Sequence, residues 1–332
     1  MSGLVFRIQA LFSRRAVMLA LAFGVSLSGM ARAQTQAAYP AKAVRLVVPF
    51  PAGTSPDVVA RLWGERFAKA TGQPVIVENR PGASTIMGAQ VVAVAPADGY
   101  TLLWTVNNTF SINPYVYPKL PYKAEDFAPV TRILSVPYVL VVSAESRIRS
   151  LADLVREAKA HPNAMSYASA GIGQGTHVAM ARLLNTAGVT MTHVPYKDYF
   201  ISDVIAQRVD VAFDASTGAI PQIKGGRVRA LGVSSTKRIE ALPDVPAIAE
   251  TFPGFVGDSW HGIFAPGKTP EPVIAALMAY SRRIVEAADF QAALRDYGLT
   301  PAGEAPDEFR KFLVDDARAW SKVVRDNQIS AD

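Results

Sequence analysis

The sequence predicts an α/β fold of two modules, and three observations predict it. Short apolar strands alternate with amphipathic helices from Val44 to Ala95, the alternation resumes beyond Ser143, and Phe127 to Ser143 is long and apolar enough to run from one module to the other. In the first module, Val44 to Pro49 is a strand ended by the turn Pro49-Phe50-Pro51-Ala52-Gly53-Thr54. A helix follows. Ser55 is a candidate cap, Pro56 suits the first position, Asp57 favours the positive end, and Val59, Leu62, Trp63 and Phe67 recur on one face. Gly72 stops it. Pro74 to Asn79 is the second strand, Arg80 to Ala83 a turn, Ser84 to Val94 a helix with Ile86, Val91 and Val94 turned inward, and Thr101 to Trp104 a third strand.

The second module repeats the cycle. Ser150 to Ala160 reads as a helix, Ser166 to Ser169 as a strand entering the glycine-rich turn 170–175, and Thr176 to Ala187 as a helix. Strands follow at His193 to Tyr196, Val209 to Phe213 and Val228 to Val233, with a short helix from Ile201 to Gln207. Trp260 to Phe264 is a return strand, and the tail carries amphipathic helices near Glu271 to Ala287 and Pro306 to Asn327.

Composition removes several classes of function. With no cysteine among 332 residues, disulfide scaffolds, thiolate metal sites and cysteine nucleophiles are excluded. The formal charge of +6 is concentrated at the start: Arg7, Arg14, Arg15 and Arg32 lie in residues 1–33, which hold no acid, leaving 30 basic against 28 acidic side chains in the rest. That balance, with no basic run interleaved with aromatics, argues against a nucleic-acid partner. The first segment reads as an export signal. Arg14 and Arg15 precede the apolar run Ala16 to Met30, shorter than the roughly 20 residues a membrane span needs, and Ala31-Arg32-Ala33 matches a signal peptidase site, so cleavage is expected near Ala33-Gln34 and the product in the periplasm. Sec and Tat export both fit.

In open parallel sheets, ligands bind beyond the carboxyl ends of the strands. That rule selects the loops 51–55, 83–85, 169–176 and 214–217, each joining small hydroxyl residues to a helix start whose N–H groups can hold an anion. The same residues are also ordinary turn and capping residues. Enzyme readings are weaker. Gly171-Ile172-Gly173-Gln174-Gly175 brings its third glycine one place too early for a dinucleotide fingerprint, and no P-loop is present. His161, His177, His193 and His261 lack metal-ligand spacing, and no Gly-x-Ser-x-Gly elbow occurs beyond the leader. Asp57, Asp198 and Asp214 are the candidate acids, with capping or ligand contact their commoner fate. Trp63 and Trp104 read as core, whereas Tyr199 and Phe200 sit in a loop beside Asp198, where a ring either stacks on a ligand or packs between domains.

The chain resembles the extracytoplasmic substrate-binding receptors of tripartite tricarboxylate transporters, the Bug family. The resemblance runs in order through Tyr39-Pro40, Val47-Val48-Pro49-Phe50-Pro51-Ala52-Gly53, Asp57 to Arg61, Val77-Glu78-Asn79-Arg80-Pro81-Gly82-Ala83, Asp98 to Leu103, Ile112-Asn113-Pro114, Ser166 to Ser169, His193-Val194-Pro195-Tyr196-Lys197 and Leu242 to Pro246. It implies a two-lobed periplasmic binding protein of type II, each lobe a mainly parallel sheet flanked by helices, with crossover strands at the hinge. It further implies one discontinuous domain over 34–138 and 262–332, a second over 139–261, and capture of a small organic carboxylate by hinge closure for delivery to membrane transporter subunits. A monomer without cofactor, metal or catalytic residues is expected; a secreted α/β hydrolase and a ligand sensor for a membrane signalling protein are the alternatives. The ligand-binding residues so expected are Phe50, Ala52, Gly53, Thr54, Ser55, Asp57, Ala83, Ser84, Asn107, Ser169, Gly171, Gly173, Thr176, Lys197, Asp198, Phe200 and Asp214. The chain departs from the family pattern where Asp198 replaces a glycine and is followed by Tyr199 and Phe200, and where Thr54 replaces a second glycine. Those rings lead us to expect an aromatic carboxylate or dicarboxylate rather than a compact tricarboxylate.

Overall fold

In the structure, a computed structural model that describes residues 39–331, two sheets are each built around a parallel βαβαβ core. The leader expected over residues 1–33 and its cleavage site lie outside the described residues. In the first sheet, β1 (Val44–Val48) enters α1 (Ser55–Thr71), which returns to β2 (Val75–Asn79); α2 (Ile86–Ala93) then leads to β3 (Thr101–Val106). A π-helical turn (Asn108–Ile112) and a short α3 (Asn113–Val116) precede β4 (Phe127–Val136). Pro137 divides the long apolar stretch there, because proline cannot donate to a ladder, and β5 (Tyr138–Ser143) belongs to the second sheet.

The second sheet continues with α4 (Leu151–Ala160), β6 (Ser166–Ser169), α5 (Gly175–Ala187), β7 (Thr192–Pro195), α6 (Ile201–Ile205), β8 (Val211–Ala215), α7 (Ser216–Lys224) and β9 (Val228–Val233). A connection carrying α8 (Ile248–Thr251) returns the chain to the first sheet at β10 (Ser259–Pro266). The tail is α9 (Glu271–Glu286), α10 (Ala288–Asp296), β11 (Thr300–Pro301) and α11 (Pro306–Asp326). Among the described residues, no helix is long and apolar enough to cross a membrane.

Strand orders are β11-β4-β10-β3-β1-β2 and β7-β6-β8-β5-β9. In the first sheet β1 lies between β2 and β3, and in the second β6 lies between β7 and β8, all parallel; antiparallel pairings extend each set. The expected mainly parallel sheets are therefore mixed. β5 and β10, each entered from the other module, run against the parallel set, whereas β4 pairs antiparallel with β10 and so runs in the same direction as β1 to β3. The expected boundary at 261/262 falls inside β10, all of which pairs in the first sheet.

The helices bury the faces their periodicity marks, with informative exceptions. Trp63 stacks on Phe67 and approaches Trp104 at 6.2 Å, all three fully buried as expected. The other face of the first sheet packs Val47, Leu103, Trp260, Phe264 and Phe309. In α2 the buried residues are Gly88, Ala89 and Val92, and Val94 is exposed, because Ala83, Ser84 and Thr85 take left-handed conformations that delay the helix to Ile86 and rotate its face. Gly88 packs so closely on Pro49 that a Cβ would lie 2.7 Å from that ring. The second sheet is covered by α5 on one side, with Val178, Leu184 and Tyr167, and by α6 and α7 on the other, with Val204, Ala219 and Ile220.

The two crossings meet at Ser234. Its N–H donates to the Tyr138 carbonyl at 2.9 Å, and its Oγ accepts from the Tyr138 N–H at 2.8 Å while donating to Asp258. Ser234 is fully buried. Ser234→Ala leaves the Tyr138 N–H and the Asp258 carboxylate without that partner, and a buried unsatisfied donor costs about 1–3 kcal/mol. A denaturant midpoint lowered accordingly is expected; an unchanged midpoint would show that the crossing does not depend on this side chain.

Candidate functional site

The carboxyl ends of β1, β3, β6 and β8 point toward one crevice, and the site is assembled from the loops that leave them. After β1 the chain turns through Pro49 to Thr54. Gly53 takes a left-handed φ of 81° and donates its N–H to Asp57 Oδ2 at 2.8 Å. Arg61 Nε donates to the same oxygen at 3.0 Å, and Asn79 Nδ2 bonds both Asp57 Oδ1 (2.8 Å) and the Phe50 carbonyl (2.9 Å). Asp57 is thus buried and spent inside the loop, so it braces the site and does not face the crevice. Burial alone would raise its pKa, but the donors from Arg61, Gly53 and Asn79 outweigh it and hold the carboxyl below its ordinary range.

Ser55 behaves differently from the expected cap. Thr54 occupies the cap position in extended backbone and turns its Oγ1 back to the Pro51 carbonyl at 2.7 Å, while Ser55 is already helical. Its Oγ is left buried without a hydrogen-bond partner. Ser55 and Ala215 line two cavities that together form the crevice. The larger, about 620 Å³, runs between the start of α1 (Gly53, Thr54, Val58, Val59) and the strand-to-helix junction of β8 and α7 (Asp214, Thr217, Gly218, Pro221), with Tyr199 and Tyr297 as further walls. The smaller, about 160 Å³, lies between Phe50, Asn108, Tyr138, Thr176 and His261. Among the described residues, no lysine or arginine lines either cavity. A bound anion would therefore be held by N–H groups at helix starts and by hydroxyls.

Several expected residues are brought together here: Phe50, Gly53, Thr54, Ser55, Thr176 and Asp214 line the crevice. Others stand behind it. Asn107 is fully buried and accepts from Ser259 Oγ at 2.8 Å. Ser169 turns its hydroxyl to His193 Nε2 at 2.7 Å. Gly171 and Gly173 shape the loop with left-handed φ values of 121° and 72°. Gly173 also offers its carbonyl to Asn108 Nδ2 at 3.1 Å, and its Cα lies so near Val116 that a Cβ would come within 2.7 Å. Ala52, Lys197 and Asp198 are exposed and line neither cavity. Ala83 and Ser84 form the left-handed turn before α2, where Ser84 Oγ bonds Asn108 and Asn113 at 3.1 Å each.

The aromatic pair divides. Phe200 is buried in the core with Ile201 and Val204, so the ring expected at the ligand is a packing residue. Tyr199 is 53% exposed, lines the larger cavity and donates its hydroxyl to Asp214 Oδ2 at 2.6 Å. Burial raises the Asp214 carboxyl to about 6, against hydrogen bonds from Tyr199 and the Ala215 N–H that pull it down. Asn108, Gly218, Pro221, Gln222 and Tyr297 were not expected at the site. Asn108 lies one residue beyond the expected Asn107, and the π-helical turn presents it where an ordinary loop would not.

Behind the crevice, Tyr167, His193 and His177 form a stack in which the imidazoles are 3.8 Å apart and 9° from parallel. His177 Nδ1 accepts from the Gly173 N–H at 3.1 Å, so the neutral rings pin the glycine loop from its far side.

Comparison with known proteins agrees with this construction. A family model described as the tripartite tricarboxylate transporter family receptor matches residues 59–329, and the chain belongs to that family. Protein BugT of Bordetella pertussis is 31% identical over 91% of this chain and 94% of its own. An R. palustris protein solved with adipate superposes with a TM-score of 0.82 at 32% identity, covering 88% of this chain and 99% of that one. MatC from Rhodopseudomonas palustris with bound malate gives 0.77 at 31% identity over 86% and 100%. The chain is accordingly a solute-binding receptor of the two-lobed periplasmic type and not an enzyme, which sets the hydrolase alternative aside.

Burial holds His177 near 3, with His193 adding to the effect, and holds His193 near 4 and His261 near 3. Unfolded histidines bind protons near 6.5, so these residues remove stability as pH falls from about 6.5 toward 4. The buried Asp214 and Asp258 carboxyls, both near 6, act oppositely: their ionised forms are strained at neutral pH and relieved as pH falls toward 4. By calorimetry between pH 7 and 4.5, His193→Gln is expected to flatten the acid loss of thermal stability and Asp258→Asn to steepen it. Identical slopes in both variants and the parent would contradict the assignment.

Proposed function

We propose that the protein is exported, with residues 1–33 removed near Ala33-Gln34, and works in the periplasm as a monomer. One lobe is built on the first sheet and the other on the second, with the chain passing between them at Pro137 and again between Val233 and Ser259. The lobes close on a small organic carboxylate, an aromatic carboxylate or dicarboxylate in preference to a compact tricarboxylate, and deliver it to membrane transporter subunits. The observation that carries this reading is the buried Ser55 Oγ at the start of α1, which among the described residues has no hydrogen-bond partner, in a crevice that no described lysine or arginine lines. A carboxylate there receives the orphan N–H groups of the helix start together with the hydroxyl, and the positive helix end favours its charge. The adipate and malate bound by the two R. palustris relatives support an organic acid as the ligand class. The larger cavity is walled by Val58, Val59, Pro221, Tyr199 and Tyr297, which supports an apolar or flat body between the polar ends. Ligand affinity would favour the closed arrangement, in which loop 171–175 meets Asn108 and Val116.

A thermal-shift screen across mono-, di- and tricarboxylates tests this. A ligand at 100 times its dissociation constant is expected to add about 2.7 kcal/mol. Because Ser55 Oγ bonds none of the described residues, Ser55→Ala should leave the unliganded melting temperature nearly unchanged and weaken binding by about 0.5–1.5 kcal/mol. Equal stabilisation by citrate and by aromatic acids, unaltered in Tyr199→Ala, would defeat the preference for a flat or elongated ligand.

A further inference from the structure

Among the described residues, no cation pairs with the carboxylate of Asp214 in the crevice. It is 5% exposed, and its partners are the Tyr199 hydroxyl at 2.6 Å and the Ala215 N–H. No ion pair to Asp214 occurs among the described residues, and no lysine or arginine lines the cavity it faces. An ionised carboxylate offers about four lone-pair positions, so roughly two remain for whatever occupies the cavity. The surrounding sequence is shaped around this pair. Gly218, in the first turn of α7, has no side chain, and a Cβ there would lie 2.5 Å from the Tyr199 hydroxyl and 2.8 Å from Asp214 Oδ2.

We propose that the Asp214–Tyr199 pair selects carboxylates that also carry a hydroxyl or ammonium donor, with the ligand's carboxylate at the start of α1 and its donor on the open lone pairs of Asp214. The inference rests on the carboxylate-capture reading above and adds the second polar end of the ligand. Both anchor points lie on the same cavity, with Val58, Val59 and Pro221 between them. Ligand atoms that accept only would leave the buried Asp214 oxygens unmatched, and a second carboxylate placed beside them would meet like charge. A donor satisfies them through a charge-assisted hydrogen bond. The Tyr199 hydroxyl, already donating, fixes the carboxylate's orientation and leaves its ring as a wall.

Calorimetric titration of the purified protein with matched series provides the test: succinate, malate and aspartate, and benzoate with its 3-hydroxy and 3-aminomethyl derivatives. In at least one series the donor-bearing member is expected to bind about tenfold more tightly than the unsubstituted acid. Asp214→Asn and Asp214→Ser, each checked by thermal unfolding, should erase or invert that preference while the unsubstituted acid binds as well or better. Tyr199→Phe should retain the preference, because the Asp214 charge remains. Tighter binding of the unsubstituted acids, or a preference unchanged in both Asp214 variants, would overturn the proposal while leaving carboxylate capture standing. Failure of every carboxylate to bind would instead overturn the capture reading and this inference with it.

Discussion

Ser234 fixes where the chain passes between its two sheets, and the site depends on that crossing. Through its N–H and Oγ it exchanges two hydrogen bonds with Tyr138, the first residue of β5, while Asp258 holds its hydroxyl from the strand about to return. Both passages are thereby locked side by side, and the carboxyl ends of β1 and β3 are brought opposite those of β6 and β8. Tyr138 carries the constraint into the crevice. Its backbone belongs to the crossing, it lines the smaller cavity, and a Cβ on Gly175 would lie 2.2 Å from its hydroxyl. The first residue of α5 must therefore be glycine for that helix to start beside the hinge, and hinge and binding surface share the same atoms.

The electrostatic design follows from what the crevice omits. Acidic and basic side chains near it are spent on each other or on backbone: Arg61 on Asp57, Arg45 and Arg80 on Glu78. The polar groups that face the cavities are hydroxyls, amides, the His261 ring and the buried carboxylate of Asp214, set among aromatic and aliphatic walls. A ligand is then recognised by matched donors and acceptors at fixed positions more than by bulk charge, and specificity rests on whether each buried polar atom finds its complement.

Much of this was legible in the sequence because the cues were local. The run Val44 to Val48, the Pro56 and Asp57 that open α1, the Gly72 that ends it and the apolar passage from Phe127 to Ser143 all specify their structures through neighbouring residues alone. The site was only partly legible. Ser55 and Asp214 follow from the rule about strand ends, whereas Phe200 and Tyr199 exchange places because the turn before α6 sends one ring inward and the next outward, a one-residue question that composition cannot decide. Asn108 required a π-helical turn, which has no short-range signature. The helix α7 was missed because Pro221 lies within it; the proline falls in the last two turns, where the adjoining carbonyls turn to Gly225 and Arg227. The antiparallel direction of β10 depends on its pairing with β3 and β4, residues more than a hundred positions earlier.

The last helix has a consequence for how the chain is made. Phe309, near its beginning, is packed with Trp260 and Phe264 on the first sheet, while Trp320, Val323 and Val324, near its end, are packed with α5 residues of the second. The first sheet also waits for β10, so neither half can be finished from its own stretch of polypeptide. A ribosome that has produced β1 to β9 has produced two incomplete cores, and both are sealed only when the final helix emerges. Nascent chains must therefore remain unfinished until translation ends.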